Sequence, residues 1–125
     1  MAFRGKRIVV IDDTEMVRKV LVHFLERLGF TTLEAADGRQ GLELIRSSKP
    51  DLVLCDLMMP EVTGMDIYEE LVQSKPDLSK RMLFMTGGAF TERARTFLDS
   101  VPNRHLEKPF DLAQLEAAVR SVAAN

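Results

Sequence analysis

The sequence has little of several features that mark other classes of protein. Its one cysteine, Cys55, cannot form an intramolecular disulfide, and its position within an apolar run indicates a buried thiol in a reducing compartment. No apolar run approaches the roughly 18 residues of a membrane span, and the first residues lack the apolar centre of a signal peptide. These absences predict a cytoplasmic protein without a membrane segment.

An excess of charge of either sign is also missing. The chain has 17 lysine and arginine residues and 19 acidic residues, which gives a formal net charge of -2. Because it has no basic run and no basic patch interleaved with aromatic residues, we expect no direct binding of nucleic acid. With 125 residues and 46% hydrophobic content, the chain can bury one core without a metal or a disulfide. We therefore predict a single domain over residues 1–125.

Short apolar runs alternate five times with longer stretches of helical period, which is the pattern of an α/β domain. The apolar spacing predicts two clear helices. The first has its apolar stripe over residues 17–28, with Asp13 or Thr14 able to cap its start and Gly29 able to end it. The second has its stripe over residues 112–122 and follows an N-cap at Asp111. Weaker helices are predicted near residues 38–47, 65–73 and 91–99.

The predicted strands differ in how apolar they are. Ile8–Ile11, Leu52–Cys55 and Met82–Met85 are continuously apolar, which is typical of strands inside a parallel sheet covered on both faces. Thr31–Ala36 is mixed and Asn103–Glu107 is polar, so both are predicted at the edges. With right-handed crossovers the strand order is 2-1-3-4-5. The predicted fold is a flavodoxin-like, doubly wound (βα)5 sandwich of three layers.

Acidic residues follow two of the interior strands. Asp12 and Asp13 come directly after the first strand, and Asp56 comes directly after the third. This strand order opens a crevice at the carboxyl ends of those two strands, so we expect the three carboxylates in one shallow site. Such carboxylates repel one another unless a cation lies among them, and oxygen ligands suit a hard divalent metal. We predict Mg²⁺, or Mn²⁺, at this site.

Two further polar groups are expected at the same edge. Thr86 follows the apolar run of the fourth strand and precedes two glycines, which permit the loop to rearrange. Lys108 follows the fifth strand, and its side chain can reach back towards Asp56. Pro109 restricts Lys108 to extended conformations and permits a cis peptide bond, so this lysine can be held in one place.

The motifs stand in a recognisable order along essentially the whole chain. They are Asp12–Asp13, Asp56 within Asp-Leu-Met-Met-Pro60, Gly64, Thr86 and Lys108–Pro109. In this order and spacing the sequence resembles a response-regulator receiver domain of two-component (His-Asp phosphorelay) signalling, here with no output domain in the chain. The resemblance implies that Asp56 accepts a phosphoryl group from a phosphohistidine on a sensor histidine kinase or a histidine phosphotransfer protein.

The resemblance also implies the roles of the residues around Asp56. The implied metal ligands are Asp13, Asp56 and the backbone carbonyl of Met58, with Asp12 acting through a water molecule. Lys108 and Thr86 would contact the phosphoryl oxygens. These roles agree with elementary electrostatics, because a carboxylate attacks an anionic phosphoryl group only when nearby cations screen the repulsion.

A conformational switch follows from the same resemblance. Thr86 would move towards the phosphoryl group and change the face formed by the fourth predicted helix, the fifth strand and the fifth helix. A downstream protein partner would bind this face, or the face would form a phosphorylation-dependent homodimer, although Phe90, Phe97 and Leu98 can equally be core residues. His105 stands three residues before the lysine, where relatives commonly carry Tyr or Phe, so its role in switching stays open.

Two positions affect phosphoryl lifetime in the family: two residues after the phosphoacceptor, here Met58, and two after the threonine, here Gly88. Neither side chain can orient an attacking water molecule by hydrogen bonding. We therefore expect slow autodephosphorylation and, at most, phosphorylation of the chain itself rather than turnover of a substrate.

Three other functions stay open on the sequence. A Mg²⁺-dependent phosphohydrolase with an aspartyl nucleophile usually has a second acid two residues after the nucleophile, where this chain has Met58. A flavodoxin-like cofactor binder is disfavoured, because the chain has no tryptophan, one tyrosine and no long hydroxyl-rich loop after the first strand. A phosphate-independent interaction module would keep the fold without the chemistry.

Overall fold

The computed structural model describes residues 3–87 and 91–124, so Gly88 and Phe90 lie outside the described residues. One parallel sheet has the order β2-β1-β3-β4-β5, which confirms the predicted topology. Its strands are β1 (Arg7–Ile11), β2 (Thr31–Ala35), β3 (Leu52–Asp56), β4 (Met82–Thr86) and β5 (His105–Glu107).

The last strand begins two residues later than the sequence predicts. The side-chain amide of Asn103 donates hydrogen bonds to the backbone carbonyls of Ser79 and Met82, at 2.8 and 2.9 Å. The Asn103 side chain therefore stabilises the turn that leads into β4. Parallel pairing with β4 begins only at His105.

Helices cover the two faces of this sheet. They are α1 (Glu15–Arg27), α2 (Gly38–Ser48), α3 (Gly64–Ser74), α4 (Pro76–Ser79), α5 (Glu92–Ser100) and α6 (Leu112–Ala123). The short α4 is not predicted from the sequence, because four residues are too few to show a helical period. Its first position is Pro76, where proline is favoured since the missing N–H has no partner to lose.

The core divides into two halves, because successive strand residues point to opposite faces of the sheet. Ile8 and Val10 of β1 pack with α1 and α6, whereas Val9 and Ile11 pack with α2, α3 and α5. All four side chains are at most 1% exposed. Helices therefore bury both faces of the central strands, as the continuous apolar runs predict.

Phe97 and Leu98 of α5 belong to this core. Leu98 is buried, and the partly buried ring of Phe97 packs edge-on against Phe84 and Tyr68, with 5.3 Å between ring centroids in each pair. These two residues stabilise the attachment of α5 to the sheet, so they do not supply an exposed apolar surface for a homodimer.

We predict that Lys49→Gly stabilises the protein. Lys49 ends α2 with φ +50° and ψ +62°, a left-handed conformation that costs an L-residue energy and glycine none. The free energy of unfolding in urea should rise by about 0.5–1 kcal/mol. Glu43→Gly, at an exposed position inside the same helix, is the matched control and should lower it by about 1 kcal/mol. A loss of stability in Lys49→Gly would contradict the assignment.

In the part of the chain that the structure describes, no helix combines the length and the apolar character that crossing a bilayer requires.

Candidate functional site

Three carboxylates meet at the carboxyl edge of the sheet. Asp12 and Asp13 leave β1, and Asp56 is the last residue of β3, the strand that pairs with β1. One oxygen from each carboxylate lies within 4.8 Å of the others. Asp12 is fully buried and Asp56 is 7% exposed, whereas Asp13 is exposed. The cluster therefore has a buried floor and one side open to solvent.

Lys108 directly follows the edge strand β5, and its side chain reaches back across the carboxyl edge of the sheet to this cluster. Its Nζ atom lies 2.8 Å from Oδ2 of Asp12 and 3.3 Å from Oδ2 of Asp56. Its backbone N–H donates to the carbonyl of Thr86 at 2.7 Å, which extends the β4–β5 pairing to the lysine itself. The Lys108–Pro109 peptide bond is cis. The structure thus brings Lys108 to Asp56 and also to Asp12, the nearer partner, which the sequence did not indicate.

Burial and neighbouring charges oppose each other at these groups. Burial raises the pKa of Asp56, and the charge of Asp12 adds to this rise, while the positive charge of Lys108 opposes it. Burial acts to lower the pKa of Lys108, but the hydrogen bond to Asp12 and the two carboxylate charges outweigh it and raise that pKa. The lysine is therefore held as a cation beside an acid whose ionised form is costly to bury.

Thr86 is the last residue of β4 and lies at the carboxyl edge of the sheet, beside this cluster. Its β4 neighbour Met85 pairs with Asp56 across the sheet. The Thr86 side chain is fully buried, and its hydroxyl has no hydrogen-bond partner among the described residues. A buried hydroxyl without a partner costs free energy, so this donor is available to an acceptor that enters the site.

The loop after β3 brings Met58 beside Asp56. The backbone N–H of Met58 donates to Oδ1 of Asp56 at 3.3 Å, and its side chain is 37% exposed at the rim of the site. A backbone hydrogen bond closes this loop: the N–H of Gly64 donates to the carbonyl of Leu57 at 3.0 Å. A Cβ atom at Gly64 would lie 2.8 Å from the carbonyl oxygen of Asp56, so only glycine permits this close approach.

Two other residues that the sequence singles out, His105 and Cys55, do not join the acidic cluster. His105 is exposed on β5, and its backbone pairs with Phe84. The thiol of Cys55 is fully buried, and burial together with the charges of Asp56 and Asp12 raises its pKa, so it stays protonated. Cys55 is thus a small core residue next to the acidic cluster.

One contact of the site was missed in the sequence. The guanidinium of Arg18 donates from Nη1 to the backbone carbonyl of Asp12 at 2.7 Å and from Nε to Oε1 of Glu34 at 3.1 Å. Arg18 precedes the buried residues Leu21 and Leu25 by three and seven positions, so it lies on the buried stripe of α1. A charged residue on such a stripe needs a partner, and this was the available signal.

The arrangement suits a hard divalent cation. Three carboxylates offer oxygen ligands within a short distance, and the exposed Asp13 leaves room for the water molecules that Mg²⁺ retains. A cation among them would also remove the repulsion between buried carboxylates. The donor set therefore fits Mg²⁺ or Mn²⁺.

Comparison with known proteins gives one consistent result. The sequence profile described as "Response regulator receiver domain" matches residues 8–120. Response regulator MprA of Mycolicibacterium vanbaalenii is 35% identical over 116 residues, which are 93% of this chain and 49% of that protein. The alkaline phosphatase synthesis transcriptional regulatory protein PhoP of Bacillus subtilis is 30% identical, over 94% of this chain and 48% of its own. The chain thus spans about half the length of these relatives.

Solved structures agree with the sequence comparison. The crystal structure of a response regulator receiver domain protein from Clostridium thermocellum superposes with a TM-score of 0.85 at 26% identity, over 95% of this chain and 94% of that one. A CheY-like receiver domain protein from Methanospirillum hungatei gives the same TM-score and the same two coverages at 23% identity, which supports the fold alone.

Proposed function

Because this chain belongs to the family of response regulator receiver domains of two-component signalling, we propose that Asp56 accepts a phosphoryl group from a phosphohistidine on a sensor histidine kinase or a histidine phosphotransfer protein. The observation that carries the proposal is the convergence of three acids and one lysine from distant parts of the chain. Asp56 is the acid that contacts Lys108 and still has a small exposed surface, so it is the accessible nucleophile.

In the transfer, a carboxylate oxygen of Asp56 forms a bond to phosphorus as the phosphorus–nitrogen bond of the phosphohistidine breaks. The histidine nitrogen leaves with the electron pair of that bond. Lys108, already within 3.3 Å of Asp56, screens the repulsion between the carboxylate and the incoming phosphoryl oxygens and donates a hydrogen bond to one of them. The product is an acyl phosphate on Asp56.

The acidic cluster supports this step by holding a divalent cation. We assign Asp13, Asp56 and the backbone carbonyl of Met58 as ligands, with Asp12 acting through water. When bound, Mg²⁺ neutralises charge on the phosphoryl oxygens and on the carboxylates. Asp12 is the member best placed to hold Lys108, because its Oδ2 accepts the shorter of the two lysine hydrogen bonds.

The proposal extends to signal output through Thr86. Its buried hydroxyl lacks a partner, so phosphoryl oxygens on Asp56 would give it an acceptor and draw it inward. That shift biases the face formed by α5, β5 and α6 between two conformations. A downstream protein reads this face. His105 is exposed on β5 at the same face and takes part through its surface rather than as a buried rotamer.

The experiment incubates the protein with acetyl phosphate and Mg²⁺ and follows its intact mass and the release of inorganic phosphate. We expect one phosphoryl group per chain with Mg²⁺ and none with EDTA. Sustained release of phosphate without a labelled protein would favour the phosphohydrolase. A protein that stays unlabelled and releases no phosphate would favour the phosphate-independent interaction module.

We predict that Met58→Asn shortens the lifetime of the phosphorylated protein. Met58 lies at the rim beside Asp56 and offers a water molecule no hydrogen bond, whereas an asparagine amide can orient one for attack. Removal of excess acetyl phosphate followed by timed mass measurements should show dephosphorylation faster by about tenfold. Met58→Leu is the matched control and should match the parent. An asparagine variant as slow as the leucine variant would contradict the role of this position.

An apolar surface beside the site supports a protein as phosphodonor. Met16 and Val20 of α1 are 79% and 58% exposed, and they line an open groove with Pro109 and Phe110 next to Lys108. A donor whose phosphohistidine reaches Asp56 must cover this groove. We predict that Met16→Ser with Val20→Ser slows transfer from autophosphorylated sensor kinases by about tenfold or more. Phosphorylation by phosphoramidate, a small donor, should be unchanged, and equal slowing with both donors would contradict the docking role.

A further inference from the structure

The contacts of Arg18 link the edge strand β2 to the segment Asp12–Asp13 that follows β1. Its guanidinium donates from Nε to Glu34 on β2 and from Nη1 to the backbone carbonyl of Asp12. The Arg18 side chain is 11% exposed and that of Glu34 is 28% exposed, so this pair is partly withdrawn from solvent. Arg18 itself is fixed by the helix, because its N–H donates to the carbonyl of Thr14 at 3.0 Å.

Every polar group of Asp12 is held by a neighbour. Its N–H donates to the carbonyl of Ala35, its Oδ1 accepts from the N–H of Thr14 and its Oδ2 accepts from Lys108. In the described part of the chain, the donor to its carbonyl is Arg18. That carbonyl belongs to the peptide bond between Asp12 and Asp13, so its orientation sets the direction in which the Asp13 side chain leaves the backbone.

Glu34 determines where the guanidinium points. A planar guanidinium presents its donors in a fixed fork, so a bond from Nε to Glu34 also fixes the direction of Nη1. Burial acts to raise the pKa of Glu34, but hydrogen bonds from Lys19 and Arg18 outweigh it and lower that pKa. Glu34 therefore stays ionised at neutral pH and anchors the arginine.

We propose that Arg18 is a positioning residue for the metal site: it fixes the Asp12–Asp13 peptide bond, and thereby the carboxylate of Asp13, for binding Mg²⁺. This role deepens the proposed function and rests on it. Arg18 acts through a backbone carbonyl and touches neither the cation nor the phosphoryl group. Removing such a supporting contact lowers metal affinity by about tenfold or more in other proteins.

The sign of the effect separates positioning from simple electrostatics. Arg18 is a cation near three carboxylates, so losing its charge alone would make Mg²⁺ bind more tightly. Losing its hydrogen bond to the carbonyl of the Asp12–Asp13 peptide bond should instead make Mg²⁺ bind more weakly. Lys19 is the matched control, because it also donates to Glu34, at 3.1 Å, and lies beside Arg18 on the helix.

The test titrates Mg²⁺ alone into nitrogen-15-labelled protein and follows amide signals by NMR. We expect Arg18→Gln to raise the Kd for Mg²⁺ about tenfold. In the metal-free protein it should also speed exchange of the Thr14 amide, which donates to Asp12. Lys19→Gln should leave both within about twofold of the parent, since it leaves the bond between Arg18 and Asp12 in place.

A Kd for Arg18→Gln equal to or below that of the parent would overturn the role of Arg18. If the glutamine variant fails to fold, Arg18→Lys keeps the charge and loses the fork, and we expect a Kd several-fold above the parent. A lysine variant that binds Mg²⁺ as the parent does would overturn the proposal equally. A parent whose spectrum does not respond to Mg²⁺ would instead remove the metal site itself, and with it the proposed function.

Discussion

Asp56→Asn should abolish phosphorylation by acetyl phosphate and by every histidine kinase, because an amide has no anionic oxygen to attack phosphorus. The same change should stabilise the metal-free protein by on the order of 1 kcal/mol in urea unfolding with EDTA. Burial and the charge of Asp12 disfavour the ionised form of Asp56 more than the charge of Lys108 favours it, so a neutral amide removes a net cost. The measurements are the intact mass after incubation with acetyl phosphate and the midpoint of unfolding.

Mg²⁺ should reverse this order of stability. A ligand that binds only the folded state stabilises it in proportion to the logarithm of its concentration over Kd, so Mg²⁺ should raise the melting temperature of the parent. The asparagine variant loses a charged ligand and should gain much less. Asp51→Asn is the matched control, because Asp51 directly precedes β3, at the opposite edge of the sheet from Asp56. A variant that is still phosphorylated at a single site would show that Asp56 is not the acceptor.

Lys108→Ala should slow phosphorylation by acetyl phosphate about 100-fold or more, which is the usual effect of removing one preorganised donor to developing negative charge. The lysine contacts both Asp12 and Asp56 before any phosphate arrives, so its loss removes a cation placed in advance. The Kd for Mg²⁺ should not rise, since the variant lacks a positive charge that competes for the same carboxylates. The measurements are the rate of phosphorylation at saturating Mg²⁺ and the Kd for Mg²⁺.

The cost in stability should be smaller than the cost in rate. Breaking a buried ion pair costs up to several kcal/mol, but the Lys108 side chain is 24% exposed and the pair is partly screened. We expect about 1–2 kcal/mol in EDTA, against about 2.7 kcal/mol for a 100-fold loss of rate. Lys80→Ala is the control. Lys80 is exposed and lies just before β4, at the opposite edge of the sheet from the site, so this change should alter neither the stability nor the rate of phosphorylation. Phosphorylation of Lys108→Ala at the parental rate would contradict the role of the lysine.

Much of the fold could be predicted because its signals are local. A parallel strand covered on both faces is apolar at every position, so β1, β3 and β4 stand out from the sequence and the mixed β2 is recognised as an edge. An acid directly after each of two such strands then marks the sheet edge where a site forms. The prediction that Asp12, Asp13 and Asp56 approach one another follows from strand order alone, and the structure places them within one cluster.

The contacts that could not be predicted depend on distances between side chains. The sequence directs Lys108 towards Asp56, but only the structure shows that Asp12 is the nearer partner. The link from Arg18 to Asp12 crosses from a helix to a loop and depends on Glu34 of a third element, so no periodicity reveals it. The unpartnered hydroxyl of Thr86 is likewise a property of its surroundings.

Chemical trapping of the phosphorylated residue tests the phosphoacceptor role of Asp56 most directly. The protein is incubated with acetyl phosphate and Mg²⁺, treated with borohydride, which reduces an acyl phosphate to an alcohol, and digested for mass spectrometry. We expect homoserine at position 56 in place of Asp56, and we expect its formation to require both the phosphodonor and Mg²⁺. Reduction at another carboxylate, or a stable phosphate on a hydroxyl or a histidine with Asp56 unchanged, would contradict this role.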